Sequence, residues 1–335
     1  MIQNKIAFYA PFDKRIKNDG FLKDFVDLIG YKLLARDLNQ LGYEVHSLDV
    51  FQRQKIIPNI CVFLDIPPVH ISELINIKTK SIALLRESES ISRENFDLKR
   101  HPEFNLILTW KENLVDNQKY LSYPSTRIIS YVQSKVLSPF DRKLCVLISS
   151  NLSSNLPGEL YSLRKNIVNW FNINYPIDFD LWGFGWDEYR LILFKRTIFR
   201  LKKFSRFIPP LYKGVSLNKL ETLSNYKFSI CFENTSQVNY YVSEKIFDAF
   251  LSQNVPIYYG APNITEIIPK ECYIDFRDFN TFDEMYDFLK NMSPEQYMKY
   301  LSSIRNFLNS KKAHKLSMDV WINTLKKSIL RLNVN

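Results

Sequence analysis

The residues whose types and spacing suggest chemistry lie in the segment 226–262. An apolar run at residues 228–232 predicts a buried strand, and Glu233 and Asn234 follow it directly. A polar and aromatic loop then leads to Ser243, a residue type that commonly caps the N-terminus of a helix. Loops at the carboxyl ends of parallel strands bind ligands in open α/β sheets. The segment therefore predicts a ligand site.

The helix expected after Ser243 has its apolar side chains on one face, as a helix packed on a sheet requires. These side chains are Ile246, Phe247, Phe250 and Leu251. Polar side chains gather around the strand end, the loop and the helix N-terminus, and they are Asn234, Tyr240, Tyr241, Glu244 and Lys245. A helix N-terminus with a lysine beside it favours the binding of a phosphate. The alternative is an ordinary βαβ unit with a polar loop.

A second group of acidic residues lies in the N-terminal half of the chain. The apolar segment 81–85 predicts a strand, and Glu87 and Glu89 lie in the short polar loop that follows it. Two carboxylates at the carboxyl end of a strand are candidates for general acid or base chemistry. The alternative is a solvated loop in which both charges face water.

The composition is typical of a folded protein with a basic surface. The chain has 335 residues, 46% of them hydrophobic, and a formal net charge of +10. This charge suits a nucleotide substrate, a polyanion or an anionic membrane surface. The spacings typical of zinc fingers, RNP motifs and basic zippers do not occur, so nucleic acid is not an expected partner. The four cysteines lie singly in apolar runs and are expected to be buried and reduced.

Two series of alternating strands and helices indicate an α/β protein with two domains, each built on a parallel sheet. An irregular stretch with two prolines separates the two series. We expect domains at residues 1–138 and 139–305, followed by a helical tail at 306–335. Neither GxGxxG nor GxxxxGK occurs, which argues against an NAD-type dinucleotide fold and a P-loop NTPase.

The sequences FENTSQVNYYVSEKIFDAF and VPIYYGAPNITEIIPKECYIDFRDF resemble the donor-binding core of the family 10 fucosyltransferases, which use GDP-fucose. The resemblance is dense over residues 217–279 and thin in the N-terminal half. Ser243 stands where the family usually has threonine. The resemblance implies the fold known as GT-B, with two Rossmann-like domains facing a cleft. It also implies that GDP-fucose binds the C-terminal domain and that a glycan acceptor lies against the N-terminal domain.

The resemblance further implies roles for individual residues. Glu87 matches the catalytic base, with Glu89 as the second choice. Donor binding is expected from six residues, which are Arg164, Asn234, Tyr241, Ser243, Glu244 and Lys245. Lys165 is the alternative to Arg164, one position along the same predicted helix. Arg164 and Lys245, with the helix N-terminus at Ser243, are expected to neutralise the charge of the pyrophosphate in place of a metal ion.

The remaining donor residues are expected to contact the sugars, and no metal site is expected. Asn234 and Glu244 are placed to bind hydroxyls of fucose or ribose, and Tyr241 to pack on the donor. Asp178 and Asp180 form a DxD pattern, which binds Mn²⁺ or Mg²⁺ in many other transferases. This pair opens a predicted strand, whereas a metal-binding pair should close one, so the pattern is not interpreted as a metal site.

These features predict an inverting transferase that moves L-fucose from GDP-fucose to a glycan hydroxyl, without a cofactor or metal. An α-1,3-fucosyltransferase acting on lipopolysaccharide, O-antigen or Lewis-type glycans is the specific expectation. Because no long apolar run or signal-peptide pattern occurs, we expect a cytoplasmic protein. The basic stretch 190–213 is expected either to rest on an anionic membrane or a lipid-linked acceptor, or to cover the donor domain as a solvated helix. The alternatives are transfer of another GDP-linked sugar and a non-catalytic basic protein that binds membranes or polyanions.

Overall fold

The computed structural model describes residues 4–23, 28–124, 128, 138, 141–193, 196–204 and 208–333, and the side chains of all of these except 190–193, 196–200 and 333. The chain divides into two compact units. The first contains residues 1–129 and 314–335, and the second contains residues 130–313. The first unit therefore includes most of the tail expected at residues 306–335.

The first unit is built on a six-stranded parallel sheet with the strand order β2-β1-β3-β4-β5-β6. Its strands are β1 (Lys5–Tyr9), β2 (Glu44–Ser47), β3 (Ile60–Leu64), β4 (Lys80–Leu84), β5 (Leu106–Thr109) and β6 (Tyr120–Ser122). Two helices lie between the first strands, α1 (Ile29–Gln40) and α2 (Leu48–Arg53). Every residue of β3 and β5 is buried, as expected for parallel strands that are covered on both faces.

The second unit contains a five-stranded parallel sheet with the order β13-β12-β11-β7-β8, and a separate antiparallel pair, β9 and β10. Its strands are β7 (Lys143–Ile148), β8 (Phe179–Trp182), β9 (Glu188–Leu193), β10 (Arg196–Lys202), β11 (Tyr226–Phe232), β12 (Val255–Tyr259) and β13 (Ile274–Asp275). Its helices are α3 (Tyr161–Asn174), α4 (Lys219–Leu223), α5 (Glu244–Leu251), α6 (Ile264–Ile267), α7 (Phe282–Lys290), α8 (Pro294–Leu308) and α9 (Lys311–His314). Strand β11 is central, between β7 and β12, and its last five residues are all buried.

The last helix, α10 (Met318–Asn333), packs on the first unit. Trp321, Leu325 and Ile329 recur at helical spacing, and all three are buried in the core of that unit. The ring centroid of Trp321 lies 5.0 Å from that of Tyr31 on α1. The C-terminus of the chain therefore completes the core of the N-terminal domain.

An antiparallel hairpin occupies part of the basic stretch 190–213, where a helix was one of two expectations. Strand β9 pairs with β10 from Glu188 opposite Lys202 to Leu193 opposite Arg196. The sequence of β10 contains Thr, Ile and Phe in succession, which are residue types that favour strands over helices. The expectation of a helix was wrong because basic residues among apolar ones do not by themselves distinguish the two structures. Residues 194–195 and 205–207 of this stretch lie outside the described residues.

We expect Leu325→Ala to lower the free energy of unfolding of the first unit by about 2 to 5 kcal/mol, the usual cost of truncating a buried leucine. Leu325 is fully buried in α10. Denaturant unfolding followed by tryptophan fluorescence measures the change. Lys327→Ala, at an exposed position of the same helix, is the control and should change stability by less than about 0.5 kcal/mol. Equal stability of the two variants would contradict the packing of α10 on this core.

Candidate active site

Three parallel strands of the second unit end at one edge of their sheet. Strand β7 ends before Ser149, β11 ends before Glu233 and Asn234, and β12 ends before Gly260. Helix α3 follows β7 in the chain, and α5 follows β11. Ligand sites of open α/β sheets form outside the carboxyl ends of their strands. The polar loop predicted from the sequence therefore lies at the edge where a ligand is expected.

Glu233 is a fully buried carboxylate that holds the N-terminus of α5 against the end of β11. Its Oε1 accepts the backbone N–H of Ser243 at 2.7 Å, and its Oε2 accepts the Ser243 hydroxyl at 2.6 Å. The Lys245 ammonium lies 3.3 Å from the same Oε2 and donates to Ser243 Oγ at 2.8 Å. Ser243 thus occupies the predicted N-cap position, but its hydroxyl donates to Glu233 instead of accepting from the helix backbone. A buried charge that is paired and fully hydrogen-bonded fixes its partners in one geometry.

The Glu233 side chain fits beside the end of β12 because the residue that follows this strand is a glycine, Gly260. A Cβ added at Gly260 would lie 2.4 Å from Glu233 Cγ and 2.5 Å from the hydroxyl oxygen of Tyr258. Both distances are far shorter than ordinary van der Waals contacts. Any larger residue at 260 would therefore displace the buried carboxylate or the tyrosine.

Arg164 lies in the first turn of α3 and connects the ends of two strands. It is 4% exposed, and its Nη2 donates to the Phe232 carbonyl at 2.6 Å and to Asn234 Oδ1 at 3.1 Å. Its Nη1 donates to Ser149 Oγ at 3.3 Å. Its Nε is buried and has no hydrogen-bond partner among the described residues. Burial lowers the pKa of Arg164, but a guanidinium remains charged at neutral pH.

Two tyrosines shape the loop between β11 and α5. Asn234 Nδ2 donates to the hydroxyl of Tyr241 at 3.2 Å, and Tyr241 is only 3% exposed. Tyr240 has a φ of 61°, in the left-handed region that bulky residues rarely adopt. Its backbone N–H donates to Asn263 Oδ1 at 2.9 Å, which holds this conformation. The loop is therefore fixed by side chains, with Tyr241 packed inside it.

Glu244 lies at the first position of α5 and pairs with a lysine that the sequence did not suggest. Lys219 Nζ, on α4, lies 3.1 Å from Glu244 Oε1 and 2.6 Å from Asp248 Oδ2. Burial lowers the pKa of Lys219, but the carboxylates of Asp248 and Glu244 raise it more strongly. The pKa of this lysine therefore lies above its ordinary value. The Glu244 side chain remains 53% exposed, so its carboxylate is accessible to a ligand.

Glu87 lies after β4 in the first unit, in a loop held by the buried Asp65. Asp65 follows β3 directly, is fully buried and has a φ of 74°. Its Oδ1 accepts the backbone N–H groups of Arg86 at 2.7 Å and of Glu87 at 3.0 Å. Asn95 Nδ2 donates to the same oxygen at 2.7 Å and to the Glu87 carbonyl at 3.3 Å. The backbone of Glu87 is therefore fixed on both sides by buried polar groups.

The two acidic residues of this loop have different surroundings. Glu87 is half-buried, whereas Glu89 is exposed. Burial lowers the pKa of Arg86, but negative charges that include those of Asp65 and Glu87 raise it overall. Glu87 therefore lies within electrostatic range of Arg86, and Glu89 interacts instead with Lys111. Of the two residues, Glu87 is the less exposed.

Three residues that organise these loops had no role assigned from the sequence: Glu233, Asp65 and Lys219. Glu233 and Asp65 share a signal, because each is an acid directly after a fully buried strand end. A carboxylate at that position can accept backbone N–H groups of the following loop. Lys219 lacks such a local signal, since its two partners lie on another helix.

Asp178 and Asp180 lie at the opposite, amino-terminal edge of the second sheet, where β8 begins. Asp178 Oδ2 lies 2.7 Å from Lys290 Nζ, and Asp180 Oδ1 lies 2.8 Å from Lys143 Nζ. Both carboxylates are thus partners of lysines. Within the described part of the chain, no group of three His, Cys, Asp or Glu side chains is arranged to hold a metal ion.

Comparison with known proteins supports the resemblance seen in the sequence. Residues 204–326 match the model of glycosyltransferase family 10 (fucosyltransferase), C-terminal part. The matched segment has 123 of the 335 residues, from position 204 to position 326. The alpha-(1,3)-fucosyltransferase FucT of Helicobacter pylori is 45% identical over 73 residues. That match spans 22% of this chain and 15% of the relative.

The likeness to solved structures extends over nearly the whole chain. A crystal structure of an alpha1,3-fucosyltransferase with GDP-fucose has a TM-score of 0.57 and 21% identity, and covers 98% of this chain and 90% of that one. A structure of an alpha1,3-fucosyltransferase with GDP has a TM-score of 0.59 and 20% identity, with the same coverage. At these identities the likeness concerns the fold. The predicted GT-B architecture, two α/β units each with a parallel sheet, is confirmed.

We expect Glu233→Gln to destabilise the second unit by about 1 to 3 kcal/mol, the cost of a buried polar group without its partner. Glutamine has the same size, but its NH₂ group would face either the Ser243 N–H or the Lys245 ammonium, which are both donors. Denaturant unfolding measures the loss. Glu271→Gln, at an exposed position of the same unit, is the control and should be as stable as the wild type. If Glu233→Gln were equally stable, the Glu233 carboxylate would not be holding α5.

Proposed function

We propose that this chain is an inverting α-1,3-fucosyltransferase that moves L-fucose from GDP-fucose to a hydroxyl of a glycan acceptor. The observation that carries this proposal is the pair of cations at the carboxyl edge of the second sheet, Arg164 and Lys245, beside the N-terminus of α5. A diphosphate is the ligand that such an arrangement favours. Lys245 and α5 lie in the segment that matches family 10, residues 204–326, whereas Arg164 lies before that segment.

Lys245 is arranged to contact a diphosphate while keeping its internal bonds. Its ammonium has three N–H groups, and the contacts with Glu233 and Ser243 use two of them. The Lys245 side chain is 19% exposed, so one face of the ammonium meets solvent. We propose that the third N–H donates to a phosphate oxygen of GDP.

Arg164 contributes a second positive charge from the adjacent strand end. Its buried Nε N–H lacks a partner among the described residues, and buried donors without partners are rare in folded proteins. A phosphate oxygen is an acceptor that would satisfy this donor. Asn234, which holds Arg164, and the accessible carboxylate of Glu244 are proposed to bind hydroxyls of the ribose or fucose. Tyr241 is proposed to pack on the donor.

The proposed reaction is a single displacement at the anomeric carbon of fucose. The acceptor oxygen forms a bond to that carbon while the bond to the phosphate oxygen breaks, and GDP leaves with the electron pair on the opposite face. Glu87 accepts the proton of the acceptor hydroxyl. Arg164, Lys245 and the helix N-terminus stabilise the negative charge that develops on the diphosphate. In this scheme protein groups supply the charge that a metal ion supplies in other transferases.

The acceptor is proposed to be a cell-surface glycan such as lipopolysaccharide, O-antigen or a Lewis-type structure, and the location to be cytoplasmic. No helix in the described ranges is both long and apolar enough to cross a membrane. Peripheral contact with the anionic inner membrane is part of the proposal, supported by the net charge of +10.

An acceptor array tests the proposed function most broadly. The protein is incubated with GDP-fucose, GDP-mannose or UDP-galactose and a panel of glycans that contain N-acetyllactosamine and related units. Mass spectrometry should show the addition of one deoxyhexose from GDP-fucose, and linkage analysis should place it on a 3-hydroxyl. Transfer of only a different hexose would assign another GDP-linked or UDP-linked donor. No transfer to any acceptor, with intact GDP-fucose, would favour a non-catalytic binding protein.

Glu87→Gln should reduce turnover by about 10² to 10⁴, the usual contribution of a positioned base, because glutamine cannot accept the proton. Folding and GDP affinity should stay near wild type, since glutamine keeps the size of the side chain. Glu89→Gln, two residues away, is the matched control and should reduce turnover much less. A large loss in Glu89→Gln alone would assign the base to Glu89. Wild-type rates in both variants would show that neither Glu87 nor Glu89 is the base.

Turnover should persist in excess EDTA, because the proposed charge on the diphosphate is balanced by Arg164, Lys245 and the helix dipole. The measurement is the initial rate with and without EDTA, with added Mn²⁺ or Mg²⁺ as the control. A strict requirement for either ion would contradict the metal-independent mechanism.

A further inference from the structure

A cavity of about 590 Å³ lies at the amino-terminal edge of the second sheet. It is bounded by the first residues of β7 and β11, by the turn before β8, and by the junction of α7 and α8. Its volume is in the range of known small-molecule sites. The proposed donor residues lie at the other end of the same strands, roughly 20 Å away along β11. The cavity is therefore separate from the proposed donor site.

The charged lining of this cavity is predominantly positive. It contains four cations, Arg142, Lys143, Lys227 and Lys290, and one carboxylate, Asp178. Asp178 is paired with Lys290, and Lys143 is paired with Asp180 outside the lining. Lys227 forms no ion pair with any residue that the structure describes. Two of the four cations, Lys143 and Lys290, are therefore neutralised by carboxylates, and Lys227 leaves a positive charge in the lining.

Arg142 is the most enclosed of these cations. It is 5% exposed, and its Nη1 donates to the carbonyl of Gln253 at 2.6 Å. Tyr297 also interacts with the Arg142 guanidinium and donates its hydroxyl to the Lys227 carbonyl at 3.0 Å. Burial lowers the pKa of Arg142, so its charge is held at a cost that an anionic ligand would reduce. Tyr297 thus connects the Arg142 guanidinium to the backbone of Lys227.

The rest of the lining is apolar and opens to the surface. Leu144, Phe228, Leu289, Met292 and Pro294 line the cavity beside the charged cluster. Ile177, at its rim, is 84% exposed. An apolar ligand group that covers the Ile177 side chain would remove its surface from water, and this lowers the free energy.

We propose that this cavity binds a phosphorylated amphiphile, a phosphate monoester or diester joined to an apolar group. The phosphate lies against Arg142 and Lys227, and the apolar group lies along Phe228 towards Ile177. The ligand is either a soluble phosphate ester or the headgroup of an anionic phospholipid, since both present the same chemistry. Occupancy does not require the donor site, because the cavity lies at the opposite edge of the sheet.

Calorimetric titration of the full chain with hexyl phosphate tests this proposal, with saturating GDP present to occupy the proposed donor site. We expect saturable binding that Lys227→Gln weakens by about 10- to 100-fold, the loss of one charge-assisted hydrogen bond. Lys299→Gln is the matched control, because it removes the same charge from an exposed position of α8. Circular dichroism of each variant shows whether its fold is intact. Lys227 forms no ion pair with the described residues, so its replacement should leave the fold unchanged.

Several results would overturn the proposal: no saturable binding, equal weakening by the two variants, or displacement of hexyl phosphate by GDP. Inorganic phosphate bound as tightly as hexyl phosphate would also overturn it, because the apolar lining would then contribute nothing. Vesicles of phosphatidylglycerol, compared with phosphatidylcholine, identify the source of the ligand. Binding to phosphatidylglycerol that Lys227→Gln abolishes supports a lipid headgroup. Binding of hexyl phosphate without binding to either vesicle supports a soluble ester.

Discussion

The buried Glu233 carboxylate is the interaction on which the candidate site depends. It lies at the end of the central strand β11 with no exposure, and it accepts two hydrogen bonds from Ser243, the N-cap residue of α5. These bonds fix the orientation of the helix N-terminus and of the Lys245 ammonium at the same time. Leaving this charge unpaired would cost several kcal/mol, so the helix start cannot move independently of the strand. Position 260, directly after the neighbouring strand β12, must be a glycine for the same reason, because a side chain there would overlap the Glu233 side chain.

A buried carboxylate also holds a loop in the first unit. Asp65, also fully buried after a central strand, accepts two backbone N–H groups of the loop that carries Glu87. In each unit a carboxylate that is inaccessible to ligand positions a more exposed charged residue, Lys245 in one and Glu87 in the other. Such supporting groups give a site its accuracy, because they restrict the loops that carry the reactive residues.

The sequence predicted the elements whose signals are local. Strand β11, helix α5 and the position of Ser243 follow from an apolar run, a helical stripe and an N-cap residue. The role of the Ser243 hydroxyl could not be predicted, because it donates to a residue ten positions earlier instead of accepting a hydrogen bond from the backbone of its own helix. The pairing of Lys219 with Glu244 and the contact of Trp321 with Tyr31 depend on tertiary packing between distant segments. The hairpin at β9 and β10 was missed because its charge pattern suits both a helix and a strand.

Calorimetric titration with GDP measures diphosphate binding at this edge without any knowledge of the acceptor. We predict that the wild-type chain binds GDP and that Lys245→Ala weakens this binding by about 10- to 100-fold, as the loss of a charge-assisted hydrogen bond requires. Lys165→Ala, which removes a neighbouring charge on α3 beside Arg164, should leave the affinity unchanged. Equal affinity of the wild type and Lys245→Ala, with both proteins folded, would show that the edge formed by Glu233, Ser243 and Lys245 does not hold the donor.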